Sequence, residues 1–318
     1  MNITKKIQEN IFHYQLFSRG AKIVVGVSGG PDSTCLLDVF YKLRKKYDLE
    51  IVVAHVNYGL RGKDSEKDEK LVRNLAKKYS LPIEVLSVKK LESQKVGKSE
   101  EALRKIRYSF FEKIRKKYKA DYIAVGHNLN DQAETVLMRI LRGTGLRGLG
   151  AIRFRNNYVI RPLLNIPQKE ILSYLRKNRV PFRIDKTNLR SDFTRNKIRN
   201  KLLPYLGKEF NLNIQETLYK LSQSVADDYD FISYIARQWI KKNKKIALKK
   251  FLKLHPSLQK EILRQKIEEI VPALKEIESV HINEILKIIK STKNKRQKIN
   301  LKGLKIERKG DKLNIARN

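Results

Sequence analysis

One cysteine, Cys35, stands among 318 residues. That scarcity excludes a disulfide scaffold, a zinc site built on thiolates and any chemistry that needs a thiol pair. Long apolar runs are absent as well: none approaches the roughly 18 residues of a spanning helix. The stretch from Met1 to Phe12 mixes apolar residues with Lys5, Lys6 and Glu9 and holds no signal-peptide core. The expectation is therefore a cytoplasmic protein with no membrane partner. Acidic residues are few, 33 Asp and Glu against 70 Lys and Arg, for a formal charge of +37. With 41% hydrophobic residues the chain still buries a core, so it is no disordered basic tail.

The length fits about two domains at roughly 150 residues each. The first 200 residues carry 43 basic and 20 acidic side chains, and the rest carry 27 and 13. An excess spread over both parts fits two domains facing one extended polyanion, RNA or DNA, although a lysine-rich composition bias gives the same count.

Residues Lys22 to Val27 form a short apolar run before a glycine-rich turn, the mark of a buried parallel strand. Helix Ser33–Lys46, strand Ile51–Val56, helix Ser65–Tyr79, strand Ile83–Val88, helix Glu100–Tyr118, strand Tyr122–Gly126 and helix Asp131–Arg142 continue the alternation. This predicts an α/β fold, a doubly wound, mostly parallel sheet. An extended stretch at Tyr158–Leu164, a helix at Gln168–Asn178 and a basic helix around Arg195–Leu206 follow. From about Asn211 the chain changes to a long helix, Ile214–Lys242, two shorter ones at Ser257–Val271 and His281–Lys290, and a hairpin over Lys298–Asn318. The expected domains are 1–210, catalytic, and 211–318, mainly helical.

The sharpest motif is Ser28-Gly29-Gly30-Pro31-Asp32-Ser33, between the first strand and the first helix of the alternation. Adjacent glycines let backbone approach a ligand, Pro31 presets a helical turn, and the helix N-terminus presents free N–H groups. The pattern makes a phosphate cradle, but neither a Walker A loop nor a GxGxxG turn. Asp32 would repel a phosphate unless a divalent cation stood between them, so it reads as a magnesium ligand, or else as a helix cap. Strand ends also carry His55-Val56-Asn57 and His127 to Asp131, on the edge where doubly wound sheets bind ligands. Each histidine alone reads equally as structural. Arg107 falls on the apolar stripe Leu103, Ile106, Phe110, Ile114, Tyr118, either pairing in the core or reaching phosphate at the active edge. Asp131 lies opposite the apolar side of its helix, free to face the cleft or serving as a first-turn acid. Arg195 and Arg199, one turn apart and pointing the same way, suit phosphate recognition or else form a solvated basic helix face. Tyr229, Phe231, Tyr234 and Trp239 read as core more than as base-stacking platforms.

The SGGPDS loop resembles that of the N-type ATP pyrophosphatases, the PP-loop superfamily. Gly126 to Thr135, Arg142 to Leu149, Arg161-Pro162-Leu163-Leu164 and Asp185 to Pro204 narrow the resemblance to the tRNA(Ile)-lysidine synthetase family. It covers roughly residues 20 to 206; beyond that the chain resembles the family's tRNA-recognition region in position, size and charge. Family members often carry His-His-x-Asp-Asp where this chain has His127-Asn128-Leu129-Asn130-Asp131.

The resemblance implies an ATP-dependent, AMP-forming ligase. Its substrates are free L-lysine and the wobble cytidine of tRNA(Ile) with a CAU anticodon, and its intermediate is an adenylated cytidine. It implies ATP and Mg2+ as cofactors and a homodimer as a candidate assembly. The loop residues Ser28, Gly29, Gly30, Pro31, Asp32 and Ser33 would hold ATP, Asp32 and Asp131 the metal, and Arg107 would neutralise phosphate. His127 or Asp131 would take the amine's proton. A tRNA thiolase of the same fold is the alternative, disfavoured because Cys35 stands alone; a dead tRNA-binding fold would have lost Asp32 or Ser33.

Overall fold

A computed structural model describes residues 2–88, 99–184, 194–243, 245–271, 278–291 and 296–317. The Asp185–Phe193 part of the basic motif lies outside them, as do positions 292–295 of the lysine-rich run before the last strands. The chain divides into two compact units, Met1–Gln223 and Ser224–Asn318. The expected boundary near residue 210 lies just before a long helix, whereas the compact units divide inside that helix.

The first unit contains α1 (Ile3–His13), β1 (Lys22–Gly26), α2 (Pro31–Tyr47), β2 (Glu50–Asn57), α3 (Lys63–Lys78), β3 (Ile83–Ser87), α4 (Glu100–Lys117), β4 (Tyr122–Ala124) and α5 (Leu129–Leu141). Then come α6 (Leu146–Leu149), β5 (Arg155–Asn156), β6 (Val159–Ile160), α7 (Gln168–Lys177), α8 (Thr194–Lys197) and α9 (Leu203–Glu209), with a π-turn at Ile198–Leu202 joining the last two. The start of α10 (Ile214–Lys242) completes the unit.

Six strands form a sheet in the order β3-β2-β1-β4-β6-β5, parallel except for the β5–β6 pair. This is the doubly wound architecture expected from the alternation of apolar runs and amphipathic helices. Strand order reverses between β1 and β4, and ligands bind outside the carboxyl ends of the strands flanking such a switch. Both faces of β1 are covered. Ile23 and Val25 enter one core with Leu36, Phe40 and Leu75, while Val24 enters another with Phe110, Phe111 and Ile114.

Helix α1 escapes the sequence reading, although Ile3, Ile7 and Ile11 recur every four residues and are buried. Three apolar positions among lysines make a short signal. The first turns of α10 belong with the first unit: Leu218 packs with Val136, Ile198 and Leu203, and Gln132 donates to the Ser222 hydroxyl at 2.8 Å.

In the second unit, β7 (Ile246–Ala247), α11 (Leu248–Phe251), α12 (Pro256–Ile270) and α13 (Ser279–Lys290) precede β8 (Gln297–Leu301), β9 (Leu304–Lys309) and β10 (Lys312–Arg317). The expected hairpin is instead a three-strand meander extended by β7, in the order β7-β10-β9-β8. Gly303 and Gly310 take the left-handed conformations that two tight turns require, so the segment reverses twice. The core joins Phe251, Ile262, Ile285 and Ile306. Of the four aromatics expected in the core, Trp239 packs there and the Tyr229 hydroxyl donates to Glu261, but Phe231 and Tyr234 are exposed.

Candidate active site

The loop after β1 is closed by a small hydrogen-bonded ring. Ser28 N donates to Ser33 Oγ at 3.0 Å, Ser33 Oγ donates to the Gly30 carbonyl at 3.2 Å, and Gly30 N donates to Ser28 Oγ at 3.3 Å. Ser33 has one hydroxyl proton, given to Gly30, so the 3.0 Å contact between the two hydroxyls must have Ser28 as its donor. The ring gathers two backbone N–H groups and two hydroxyls on one side of the loop. Gly29 sits at φ +87°, where a side chain would be strained, and Pro31 occupies the first turn of α2. Gly126, after β4, touches this turn: a Cβ there would lie 2.9 Å from the Asp32 carbonyl carbon and from Ser33 N. Glycine at that point lets the ends of the two switch-point strands meet.

Across that contact, Asn128 Nδ2 donates to Asp32 Oδ1 at 2.9 Å. Asn128 also caps α5 in a capping box with Asp131, its Oδ1 accepting from Asp131 N while Asp131 Oδ2 accepts from Asn128 N. One buried residue thus links the two carboxylates expected to hold magnesium, Asn128 donating to Asp32 from its side chain and to Asp131 from its main chain. Burial, followed by the neighbouring Asp131 charge, pushes the Asp32 carboxyl up from 3.8 to about 7. Burial also raises Asp131, with Glu134 adding to it and Arg195 opposing.

Arg195 and Arg199 point the same way, as their spacing implies, but into α5 and not outward. Arg195 donates to Asp131 Oδ1 at 3.0 Å and to Glu134 Oε2 at 2.8 Å; Arg199 donates to Glu134 at 2.5 and 2.9 Å. The Glu134 side chain is 1% exposed, and the two guanidiniums supply the charge its burial demands.

His127 follows Gly126. Its Nδ1 accepts from Arg161 Nε at 3.2 Å, so in the neutral ring the proton sits on Nε2. Burial and the charges of Arg161, Arg104, Arg195 and Arg107 hold it well below the ordinary histidine range. A corner this cationic favours anions. His127 and Arg107 line a cavity of about 190 Å3 with Ser28, Gly30, Asp32 and Ser33, its apolar side formed by Val56, Tyr58 and Phe111. On α4 the buried residues are Phe110, Phe111 and Ile114, and Arg107 lies at the cavity. His55 does not line it; its Nδ1 donates to the Val27 carbonyl at 2.8 Å.

A second cavity, of about 530 Å3, opens on the other side of Asp32 and shares Ser28 and Gly30 with the first. Asp131, Glu134 and Arg199 form one part of its wall, and Arg61, Asp68 and Arg183 another.

The structure thus gathers Ser28, Gly30, Pro31, Asp32, Ser33, Arg107, His127 and Asp131 around two cavities that meet at Asp32, while Gly29 shapes the loop without lining either. Sequence reasoning missed Asn128, Glu134, Arg161 and Arg183. Asn128 with Asp131 was legible as an N-cap signature. Glu134, a charge beside Ala133 and Leu137, was legible as a carboxylate bordering an apolar face. Arg161 opens the Arg161-Pro162-Leu163-Leu164 motif, which marks it without giving it a role, and Arg183 carries no local signal.

For magnesium the donor set fits. Asp32 and Asp131 are hard oxygen ligands joined through Asn128, and among the described residues no cluster of three or more His, Cys, Asp or Glu forms a self-sufficient cage. Magnesium characteristically takes one or two carboxylates and completes its shell with phosphates and water.

The PP-loop domain family matches residues 2–206. Among curated proteins, the tRNA(Ile)-lysidine synthase of Clostridium tetani is 39% identical over 299 residues, 91% of this chain and 64% of that protein. Those of Clostridioides difficile and Geobacillus kaustophilus are 40% and 33% identical, covering 92% and 96% of this chain and 65% and 69% of theirs. The chain therefore spans about two thirds of the length of these relatives. A U34-tRNA thiolase from Methanococcus maripaludis, solved with its iron–sulfur cluster, superposes with a TM-score of 0.58 at 18% identity, covering 71% of this chain and 78% of that one. That likeness is one of fold.

Proposed function

Because the chain belongs to the PP-loop family and stands within it among the tRNA(Ile)-lysidine synthases, we propose that it joins free lysine to C2 of the wobble cytidine of tRNA(Ile), with AMP and pyrophosphate released. The observation that carries this reading is the pair of cavities meeting at Asp32, one cationic and one lined by carboxylates and arginines. A ligase that activates one substrate with ATP and then admits an amine needs two such approaches to one reacting centre.

The C2 carbonyl of cytosine is a poor electrophile, and an amine has no good leaving group to displace there. ATP supplies one: attack of O2 on the α-phosphate releases pyrophosphate and leaves AMP bonded to O2. In the first cavity the loop of Ser28, Gly30 and Ser33 faces the phosphates, the α2 N-terminus adds its dipole, and Arg107 meets the charge that grows at phosphorus. Asp32 and Asp131 would hold Mg2+, which when bound offsets phosphate charge.

The second cavity suits a zwitterionic amino acid, its arginines facing a carboxylate and its carboxylates an ammonium. The amine must lose a proton before attacking C2, since its reference pKa is near 10.4. The lone pair of His127 Nδ1 is engaged by Arg161 and its Nε2 carries the proton, which favours His127 as a donor and Asp131 as the acceptor. AMP then leaves with O2, and lysine stands in its place. Arg195 and Arg199 act here by holding Asp131 and Glu134 in place. Attraction for tRNA comes from the basic excess of both parts of the chain, with exposed Phe231 and Tyr234 of the second unit available to stack on bases.

The test uses labelled lysine, α-labelled ATP and tRNA(Ile) transcripts differing only at the wobble position. Lysine incorporation with AMP as product, dependent on wobble cytidine, is expected. ADP as product, or incorporation into a wobble-uridine transcript, refutes the assignment.

A further inference from the structure

Two hydrogen bonds reach the back of the phosphate loop from elements that the chemistry does not use. At its start, His55 Nδ1 lies 2.8 Å from the Val27 carbonyl. A carbonyl only accepts, so Nδ1 carries the proton. His55 is 3% exposed, and its Nε2 is buried without a partner. Two residues further on, the main-chain N–H of Arg183 donates to the Gly29 carbonyl at 3.0 Å. Arg183 is held there by its own side chain, whose Nε donates to Asp68 Oδ1 at 2.6 Å and whose Nη2 donates to Asp64 at 2.9 Å. Asp68 is itself 7% exposed, and its backbone carbonyl lies 3.5 Å from where a Cβ on Gly29 would stand, so clamp and loop are in contact.

A trans peptide is planar, and its C=O and N–H point in opposite directions. Holding the Val27 carbonyl from behind therefore aims the Ser28 N–H forward, and holding the Gly29 carbonyl aims the Gly30 N–H forward. These two amides are the ones that meet the Ser33 and Ser28 hydroxyls in the ring facing the first cavity. The ring hydroxyls fix these peptides at the front and the two anchors fix them at the back, where Gly29 and Gly30 lack the side-chain sterics that restrict other residues.

We propose that His55 and the main-chain N–H of Arg183 are positioning residues for nucleotide binding, two rear anchors that hold the Ser28 and Gly30 peptides and with them the hydroxyl ring that lines the first cavity. The proposal rests on the reading that this loop takes ATP, and it goes beyond that reading in assigning a role to His55, which lines neither cavity, and to the main-chain N–H of Arg183. His55 does so from the end of β2. Arg183 links the loop to the wall of the second cavity, where its side chain stands.

The test is equilibrium binding of ATP with Mg2+ to the full chain, with tRNA and lysine absent, alongside thermal melting. In His55→Asn the amide nitrogen falls where Nδ1 stood, keeping a donor for Val27. In His55→Gln the amide is displaced to the Nε2 position, and Val27 loses its donor. The expected result is ATP affinity within about threefold of wild type for His55→Asn and about tenfold or more weaker for His55→Gln. Arg183→Ala keeps the N–H, whereas Arg183→Pro removes it, so the proline variant is expected to bind ATP more weakly than the alanine variant. Equal losses within either pair, or losses that follow melting temperature alone, overturn the proposal. If wild type itself binds no ATP, the ATP reading of the loop fails instead, a result distinct from the first.

Discussion

Removing the Glu134 carboxylate tests the buried charge cluster most directly. Its oxygens accept from Arg195 Nε at 2.8 Å and from Arg199 Nε and Nη2 at 2.5 and 2.9 Å. Glu134→Ala leaves the two guanidiniums with Asp131 and, for Arg195, the more exposed Glu100 at 3.4 Å. Breaking a buried ion pair by removing one partner costs about 3–5 kcal/mol, since the partner's charge stays buried. Arg195 and Arg199 are 19% and 35% exposed against 1% for Glu134, so both can relax toward water, which favours the lower end, about 3 kcal/mol. For a unit of this size each kcal/mol moves the melting temperature by roughly 2–4 °C, so a fall of about 6–12 °C is expected. Far-UV circular dichroism should show it, while Trp239 fluorescence reports on the second unit and serves as an internal control. Glu134→Gln, which keeps an acceptor and the volume, should fall less. In a double-mutant cycle with Arg199→Ala, a coupling of about 1 kcal/mol or more is expected. Melting of Glu134→Ala within a degree or so of wild type, or strict additivity in the cycle, would refute the account of Glu134 as a charge held by its arginines.

Once ionised, above neutral pH, the Asp32 carboxylate should oppose stability. Its folded pKa of about 7 lies above the unfolded 3.8, so the folded protein keeps a proton that the unfolded chain has already shed; the stability this lends is fully present below the unfolded value and is lost as pH rises toward 7. In metal-free buffer Asp32→Asn should flatten that slope and gain about 2–4 kcal/mol above neutral pH, measured by urea unfolding, while AMP formation is lost; an unchanged slope removes the electrostatic argument. Gly126→Ala should abolish ATP binding, because its Cβ meets backbone at Asp32 and Ser33; normal binding would mean the strand ends need not touch. Cys35, fully buried and with its thiol pushed far up, should resist alkylation in the folded protein, and Cys35→Ala should retain lysine transfer; an inactive variant or a thiolated product would revive the sulfur chemistry. Affinity for tRNA should fall with salt on a log–log slope of about −0.7 to −0.9 per phosphate contact, and deleting the second unit should make that slope shallower; an unchanged slope would place all phosphate contacts in the first.

What is periodic or contiguous was legible in the chain itself. The apolar runs at Ile23–Val25 and Ile51–Val53 are strands because both sheet faces are covered, and the long amphipathic repeat of Ile214–Lys242 is a helix. The Ser28–Ser33 loop announces its use because glycines, proline and a helix start must be adjacent in sequence to act together. What joins distant segments was decided by tertiary structure. Arg195 and Arg199 looked like solvent-facing forks, yet Glu134, 61 and 65 residues away, draws both inward, since a carboxylate buried to 1% exposure needs opposite charge beside it. Asn128 and Asp32 lie 96 residues apart and meet only because β1 and β4 are neighbours in the sheet. The anchors from His55 and Arg183 are of the same kind. A hydrogen bond depends on where an atom is placed and aimed, and local periodicity carries that information only within its own helix or strand.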